Sequence, residues 1–256
     1  MGRKKLVRNK LLIDADILVY KAAIRCEHEI CWDDEREIWT LHADLGEAKA
    51  EVEKEMDYLL RTLAGAAAYL AFSARRTFRH EINPEYKANR KGKRKPVVFH
   101  PLRAWAKTRW TSREWPLLEA DDVLGILAKS HKLKGPKIVV SDDHDLRTVP
   151  CALYQPRKPE LGVQKITYKE ARRTHLYQTL TGDSGDGYTG LPGVGPKKAE
   201  AILQEATWAE VVEAYVARGL TEDDALLQAR MAKILTPPLF NQHTQEVTLW
   251  NPKRHR

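Results

Sequence analysis

The sequence predicts an α/β protein in which a mostly parallel β-sheet is followed by a helical C-terminal lobe. Short apolar runs at residues 11–14 and 137–140 are typical of buried strands, and both lead into aspartates. Segments with apolar residues at helical spacing lie between the strands, and such an alternation favours a parallel sheet. From about Tyr168 the pattern is helical throughout.

The individual elements follow from spacing and from turn residues. Two β-like stretches around a charged turn predict a hairpin, and apolar residues three and four apart predict amphipathic helices. Three prolines, Pro84, Pro96 and Pro101, are expected to break the segment around them into short pieces. In chain order the predicted elements are helix 17–24, hairpin 29–41, helix 44–63, strand 67–72, helix 119–130, strand 137–140, helices 208–218 and 221–235, and an irregular tail from residue 236.

The composition predicts a soluble globular protein, and the cysteines described below predict a cytoplasmic one. Hydrophobic residues make up 43% of the chain and charged residues 30%, and no apolar run approaches the roughly 18 residues that would span a membrane. The N-terminus is basic and then apolar, but Asp14 and Asp16 interrupt the apolar part, which argues against a signal peptide.

The cysteines indicate free thiols in a reducing compartment. The chain has three, an odd number, and they are widely spaced: Cys26, Cys31 and Cys151. A zinc site built from Cys26, Cys31 and His28 lacks an obvious fourth ligand.

Positive charge is concentrated in one segment. Residues 75–113 contain 13 of the 43 Lys and Arg residues but only two of the 35 Asp and Glu residues. A basic segment on an otherwise slightly acidic chain indicates an element that binds a polyanion, and the alternative is a solvated loop.

Acidic residues recur where predicted strands end or predicted helices begin. They fall into four groups: Asp14; Glu119, Asp121 and Asp122; Asp143 and Asp145; Asp183 and Asp186. Each group alone could be ordinary helix capping. Together, at the carboxyl edge of a parallel sheet, they would repel one another unless cations lay between them. Such oxygen ligands suit Mg²⁺ or Mn²⁺, and two such ions beside a basic segment favour phosphodiester hydrolysis.

A glycine turn follows the last acidic pair. Gly193 and Gly195 precede a predicted helix that begins at Pro196, with Lys197 and Lys198 in its first turn. Backbone N–H groups and lysines placed in this way can hold a phosphate. The tetrapeptide GDSG at 182–185 is also found in trypsin-like proteases, but the helical patterns here do not suit that β-rich fold.

Five motifs, in this order, resemble the phage and bacterial 5′→3′ exonuclease and flap endonuclease family, which includes the N-terminal nuclease domain of bacterial DNA polymerase I. They are LLIDADILVYKA, FRHEINPEYKANRK, EADDVLGILA, SDDHDL and TGDSGDGYTGLPGVGPKKA, and the resemblance runs from about residue 11 to about residue 203. The last motif is similar to that of stand-alone phage exonucleases. The resemblance implies a PIN-like α/β fold with flanking helices, a helical arch and a helix-hairpin-helix element in the C-terminal lobe.

The resemblance also implies roles for individual residues. All eight carboxylates named above would bind two divalent ions, and Lys87 and Arg90 would contact the scissile phosphate. A potassium ion is expected at the helix-hairpin-helix element. Further DNA contacts are expected from Tyr86, Lys91, Lys93, Arg94, Lys95, Gly193, Gly195, Lys197 and Lys198. Ser73 stands where many members of the family carry an aspartate, so one ion would have one carboxylate fewer.

The expected organisation is a nuclease core over residues 1–167, with its basic arch at 75–113, and a DNA-binding lobe over 168–256, with the helix-hairpin-helix element at 183–206. The expected substrates are DNA 5′ ends and flaps, with RNA–DNA hybrids and replication proteins as further partners. Two alternatives stay open: an RNA-cutting nuclease of the PIN-like group, and a DNA-binding protein without catalytic activity.

Overall fold

A computed structural model describes residues 8–254, so residues 1–7, which include the first basic residues of the N-terminus, and residues 255–256 lie outside the description. The strands are β1 Asn9–Asp14, β2 Glu27–Asp33, β3 Ile38–Ala43, β4 Gly65–Ala71, β5 Thr111–Arg113, β6 Lys137–Val140, β7 Ala152–Tyr154, β8 Gln164–Lys165, β9 Phe240–Asn241 and β10 Glu246–Val247. The α-helices are α1 Ala15–Arg25, α2 Leu45–Thr62, α3 Phe78–Ile82, α4 Phe99–Arg109, α5 Ala120–Lys129, α6 Tyr168–Thr181, α7 Pro196–Ile202, α8 Trp208–Val216 and α9 Glu222–Ala232. None of the helices in this described range is long and apolar enough to cross a membrane.

The central sheet has six strands in the order β5-β4-β1-β6-β7-β8. All neighbouring pairs are parallel except β7 with β8 at one edge. The predicted mostly parallel sheet is therefore confirmed. Strand β1 lies in the middle, where Asp14 closes a run of four buried residues.

Both faces of the sheet are covered. Alternating residues of β1 point to opposite sides: Leu11 and Ile13 pack against α1, α2 and α4, whereas Leu12 packs with α5 and the C-terminal segment. Because helices cover both faces, the parallel strands can be continuously apolar. The carboxyl edge of the sheet remains free for a site.

The predicted elements of the N-terminal half are confirmed. The hairpin is formed by β2 and β3, which make a separate two-stranded sheet within residues 8–254. Helix α2 begins after Asp44, whose side chain accepts a hydrogen bond from the backbone N–H of Glu47 at 2.7 Å. The short strands β5, β7 and β8 were not predicted, because two or three residues carry no detectable periodicity.

The basic segment is more ordered than its prolines indicated. Residues 83–98 form turns with one short 3₁₀-helix, Ala88–Arg90, but an eleven-residue helix, α4, follows. The expectation that Pro101 would break the chain was wrong. Pro101 lies in the first turn of α4, where its missing N–H removes no helical hydrogen bond.

The C-terminal lobe is helical, as predicted, and α6 begins after Thr167, which forms a capping box with Glu170. The tail is less irregular than expected, because β9 and β10 form a small antiparallel pair and Phe240 and Trp250 are buried in the core beside α5. Within residues 183–206 the structure contains a single helix, α7. The first helix of the expected pair is α6, which precedes that range.

Candidate active site

The acidic site is assembled at the carboxyl ends of two parallel neighbours, β1 and β6. Asp14 ends β1 and caps α1, accepting a hydrogen bond from the N–H of Ile17 at 3.1 Å. After β6, the hydroxyl of Ser141 donates to Asp14 Oδ2 at 3.0 Å and accepts from the N–H of Asp143 at 3.1 Å. Ser141 therefore fixes the two predicted ligands relative to each other.

Asp121 lies in the same cluster, and one of its carboxylate oxygens has no hydrogen-bond donor in the described part of the chain. Its Oδ1 atom is buried and accepts no hydrogen bond from any of residues 8–254. Burial, followed by the negative charges of Asp143 and Asp14, raises the pKa of Asp121 well above its ordinary value. A buried carboxylate oxygen without a donor is the arrangement expected of a ligand to a cation.

Burial and nearby negative charges also raise the pKa of two further carboxyl groups. Burial and the neighbouring Asp16 raise the pKa of Asp14 to about 7, and burial and Asp143 raise the pKa of Asp145 to about 7. These shifts mean that the cluster resists being fully charged unless positive charge is brought in. The carboxylates supply hard oxygen donors, so they fit Mg²⁺ or Mn²⁺.

A second part of the site already contains cations of the chain itself. Lys87 Nζ lies 2.5 Å from Glu119 Oε1 and 3.4 Å from Asp186 Oδ2, and Arg90 Nη2 lies 2.5 Å from Asp186 Oδ1. The hydroxyl of Tyr86 lies 2.7 Å from Glu119 Oε2 and 2.9 Å from Asp186 Oδ2. The two residues predicted to contact phosphate are thus held beside two predicted metal ligands.

The electrostatics of this second part are opposite to those of the first. Burial opposes ionisation of Glu119, but Lys87 and Arg79 outweigh it and lower the pKa of Glu119 to about 2. Burial disfavours the charged form of Lys87, yet Glu119 and Asp186 raise the pKa of Lys87 above its ordinary value. Both groups are therefore charged in the folded protein, and they form an ion pair.

Asp122 has a different setting from the other predicted ligands. It is fully buried, and its two oxygens accept hydrogen bonds from Arg79 at 2.6 and 3.0 Å. Arg79 also donates to Glu119 at 3.1 Å and to two backbone carbonyls after α9 and at its end. These contacts favour a structural role for Asp122, which anchors α5 to the C-terminal lobe. Its assignment as a metal ligand stays a prediction.

Asp183 and Asp186 lie on the loop between α6 and α7. Asp183 Oδ1 accepts hydrogen bonds from the N–H groups of Gly185 and Asp186 at 2.7 and 3.1 Å. The loop approaches the basic segment closely: the N–H of Lys87 donates to Asp186 O, and a Cβ on Gly187 would come within 2.8 Å of Glu85 O. Gly187 has a φ of +78°, so both its conformation and its surroundings require glycine.

Sequence reasoning missed three residues of the site. Arg79 is one of thirteen basic residues in the segment 75–113, and only its place in the FRHE stretch before the arch distinguishes it in the sequence. Gln178, on α6, donates to Asp145 Oδ1 at 2.6 Å. His144 lies between two predicted ligands, and with Asp143 and Asp145 it forms the one group of metal-binding donors found among residues 8–254. No such group forms around Cys26, Cys31 and His28 in this part of the chain.

The residues predicted to bind DNA fall into three settings. Lys91, Lys93, Arg94, Lys95, Lys197 and Lys198 are exposed. Arg94, however, forms a two-bond ion pair with Glu27, at 2.7 and 2.9 Å. Tyr86 is buried against the acidic site, which favours a positioning role over direct DNA contact.

The glycine turn precedes α7. Gly193 has a φ of +74°, which favours glycine, whereas Gly195 has an ordinary φ of −94°. A Cβ at either position would meet no atom of the described chain within 4 Å. Lys198 donates to Gly193 O at 2.9 Å and so closes the turn. The outer side of the turn is open for a ligand.

Ser73 belongs to a hydrogen-bond network at the edge of the site. Its hydroxyl accepts from the N–H of Ala120 at 2.9 Å, and its own N–H donates to Asp16 Oδ2 at 2.7 Å. Asp16 in turn binds Arg103 at 3.0 Å. The position thus connects β4 with the beginning of α5.

The fold and this site together define the class of protein: an α/β nuclease with a carboxylate site for divalent metal ions. The model of the 5′-3′ exonuclease N-terminal resolvase-like domain matches residues 9–169, and the chain belongs to this family. The family resemblance read from the five motifs, the predicted fold class and the predicted nuclease activity are confirmed.

Two curated relatives match almost the whole chain. The exodeoxyribonuclease of Enterobacteria phage T3 is 31% identical over 95% of this chain and 93% of its own length, and the exonuclease of Escherichia phage T7 is 30% identical over 94% and 93%. Among solved structures, the T5 D15 protein co-crystallised with metal ions superposes with a TM-score of 0.65, at 15% identity over 89% of this chain and 90% of that one. This last likeness shows the shared fold.

Proposed function

We propose that this protein hydrolyses DNA from 5′ ends and at 5′ flaps with the help of two Mg²⁺ or Mn²⁺ ions. The observation that carries the proposal is the cluster of Asp14, Asp121, Asp143 and Asp145 at the carboxyl edge of the sheet, where burial and mutual repulsion disfavour full ionisation. Cations relieve that repulsion. The adjacent Lys87 supplies positive charge where a phosphate would arrive.

The residues suited to hold the ions are Asp14, Asp121 and Asp143 on the sheet side and Asp145, Asp183 and Asp186 on the loop side. Bound divalent ions would lower the pKa of an attacking water and neutralise charge on the departing oxygen. Ser141 and Gln178 orient the carboxylates through the hydrogen bonds described above.

Lys87 and Arg90 are proposed to bind the scissile phosphate. Glu119 and Asp186 hold these two cations beside the acidic cluster. Incoming phosphate oxygens can take over these ion pairs, so that both cations meet the charge that develops during hydrolysis. Tyr86, which contacts both carboxylates, keeps Glu119 and Asp186 in place during this exchange.

The DNA backbone is proposed to follow two basic surfaces. One consists of the exposed Lys91, Lys93 and Lys95, with Arg94 available if its pair with Glu27 opens. The other is the turn formed by Gly193, Gly195, Lys197 and Lys198, which also offers a place for K⁺. The same proposal includes RNA paired to DNA as a substrate and replication proteins as partners, both supported by the family resemblance. It also includes action inside the cell, which the free thiols support.

The proposal is tested with 5′-flap, blunt duplex and RNA hairpin substrates, each labelled at the 5′ or the 3′ end, in Mg²⁺, in Mn²⁺ or in EDTA. We expect short 5′-labelled products from the DNA substrates with either ion and no cleavage in EDTA. Asp143→Asn is expected to bind the flap as tightly as the wild type but to cut at least about 100-fold more slowly. Cleavage of the RNA hairpin alone would overturn the DNA assignment, and binding without any cleavage would leave a catalytically silent DNA-binding protein.

A further inference from the structure

His144 lies within the acidic site, and the proposed function gives it no role. It stands between Asp143 and Asp145 at the beginning of the 3₁₀-helix Asp145–Thr148. Its Nε2 atom lies 3.1 Å from Asp145 Oδ1 and 3.6 Å from Asp183 Oδ2, and its Nδ1 atom lies 3.7 Å from Asp143 Oδ1. Three carboxylates from two separate loops therefore lie close to one imidazole, whose side chain is 68% exposed.

The shortest of these separations matches that of two donors that share an ion. Two atoms bound to one ion at 2.0–2.1 Å and at right angles to each other are about 3.0 Å apart. The distance from His144 Nε2 to Asp145 Oδ1 is close to this value, and Asp143, His144 and Asp145 offer donor atoms that all lie within 4.8 Å of one another. The geometry suits coordination without rearrangement of the backbone.

The alternative explanation for the position of His144 is an ordinary surface histidine that hydrogen-bonds to one acidic neighbour. Its single Nε2 atom can satisfy one carboxylate in that way, but it faces two, Asp145 and Asp183. A separate observation indicates that the cluster is built for a ligand, since Oδ1 of Asp121 is buried without a hydrogen-bond partner among residues 8–254. Asp121 lies near enough to Asp143 and Asp145 for their charges to act on it.

We propose that His144 is a nitrogen ligand of the divalent ion held by Asp145 and Asp183. Imidazole binds transition metals more readily than Mg²⁺, which prefers oxygen ligands. The site should therefore favour Mn²⁺ and Co²⁺ over Mg²⁺ more strongly than an all-carboxylate site does. This inference rests on the proposed function only in requiring that a divalent ion binds between these carboxylates.

The test is pulsed electron paramagnetic resonance of Mn²⁺ bound to the full chain, which detects ligand nitrogen as modulation of the electron spin echo. We expect ¹⁴N modulation in the wild type, its replacement by the ¹⁵N pattern after labelling of histidine, and its loss in His144→Ala. The matched control is His131→Ala, because His131 is an exposed histidine outside the acidic site. This control should keep the wild-type spectrum.

Calorimetric titration gives an independent readout. We expect His144→Ala to weaken Mn²⁺ binding by about tenfold or more and Mg²⁺ binding by less than about threefold, since Mg²⁺ depends little on nitrogen. Bound Mn²⁺ without nitrogen modulation in the wild type would overturn the role of His144 and leave the proposed nuclease function intact. Failure of the wild type to bind Mn²⁺ at all would overturn both.

Discussion

Asp121 and Asp122 are adjacent on α5, yet the same substitution should have opposite effects at the two positions. Asp122 is completely buried, and it accepts hydrogen bonds from Arg79 and from the N–H of Leu235 at 3.0 Å. Asp122→Asn leaves the buried guanidinium without its strongest partner. Breaking a buried ion pair from one side costs about 3–5 kcal/mol, so the free energy of unfolding should fall by roughly that amount.

Asp121→Asn should stabilise the metal-free protein. The Oδ1 atom of Asp121 has no hydrogen-bond partner in the described chain, and burial and the charges of Asp143 and Asp14 make its ionised form unfavourable. An asparagine removes the charge and keeps the shape. The free energy of unfolding in EDTA should therefore rise, because each unit by which burial and like charges raise a carboxyl pKa costs the folded state about 1.4 kcal/mol.

The assay is urea unfolding in EDTA and again with saturating Mn²⁺. An ion present at about 100 times its dissociation constant stabilises the native state by about 2.7 kcal/mol. We expect the wild type to show this gain, Asp122→Asn to retain most of it from a lower starting stability, and Asp121→Asn to lose it. If Asp122→Asn is as stable as the wild type in EDTA but loses the response to Mn²⁺, Asp122 is a metal ligand and the structural argument fails.

Four further substitutions test other parts of the structure. Lys87→Ala should lower the single-turnover cleavage rate by about 100-fold or more at saturating enzyme. Lys93→Ala should mainly weaken DNA binding and reduce the salt dependence of binding by about one phosphate contact. If both variants recover the full rate at saturating enzyme, the basic segment only attracts DNA and Lys87 has no role in the reaction. Gly193→Ala places a side chain at φ +74° without an internal clash, so it should cost about 1–2 kcal/mol of stability and weaken duplex binding more than single-strand binding, as measured by urea unfolding and fluorescence anisotropy. Burial, with the nearby Lys233, lowers the pKa of His175 to about 3. Below about pH 6.5 the unfolded chain protonates this histidine and the folded protein does not, so the free energy of unfolding decreases as the pH falls from 6.5 towards 3. His175→Gln should reduce the pH dependence of unfolding in that window, and an unchanged slope would contradict the argument.

The sequence by itself determined the three central strands of the sheet, most of the helices and the candidate carboxylate ligands of the site. Buried strands such as β1 and β6 are apolar runs closed by aspartates, and this pattern is visible without coordinates. Most of the acidic residues could be predicted because they follow a strand or begin a helix, and Asp183 and Asp186, which lie on the loop between α6 and α7, could be predicted from their motif. The fold class could be predicted for the same reason, since parallel strands require helices between them.

Tertiary structure alone decided what each acidic residue does. Asp121 and Asp122 are the same type of residue at neighbouring positions. The helix α5, however, directs Asp122 towards Arg79 and leaves Asp121 in the acidic cluster. The pairing of Lys87 with Glu119 joins residues 32 positions apart. Local propensity and spacing describe interactions within a few residues, whereas charge and burial depend on which distant segments the folded chain brings into contact. For this reason the set of candidate ligands could be predicted from the sequence, and their electrostatic states could not.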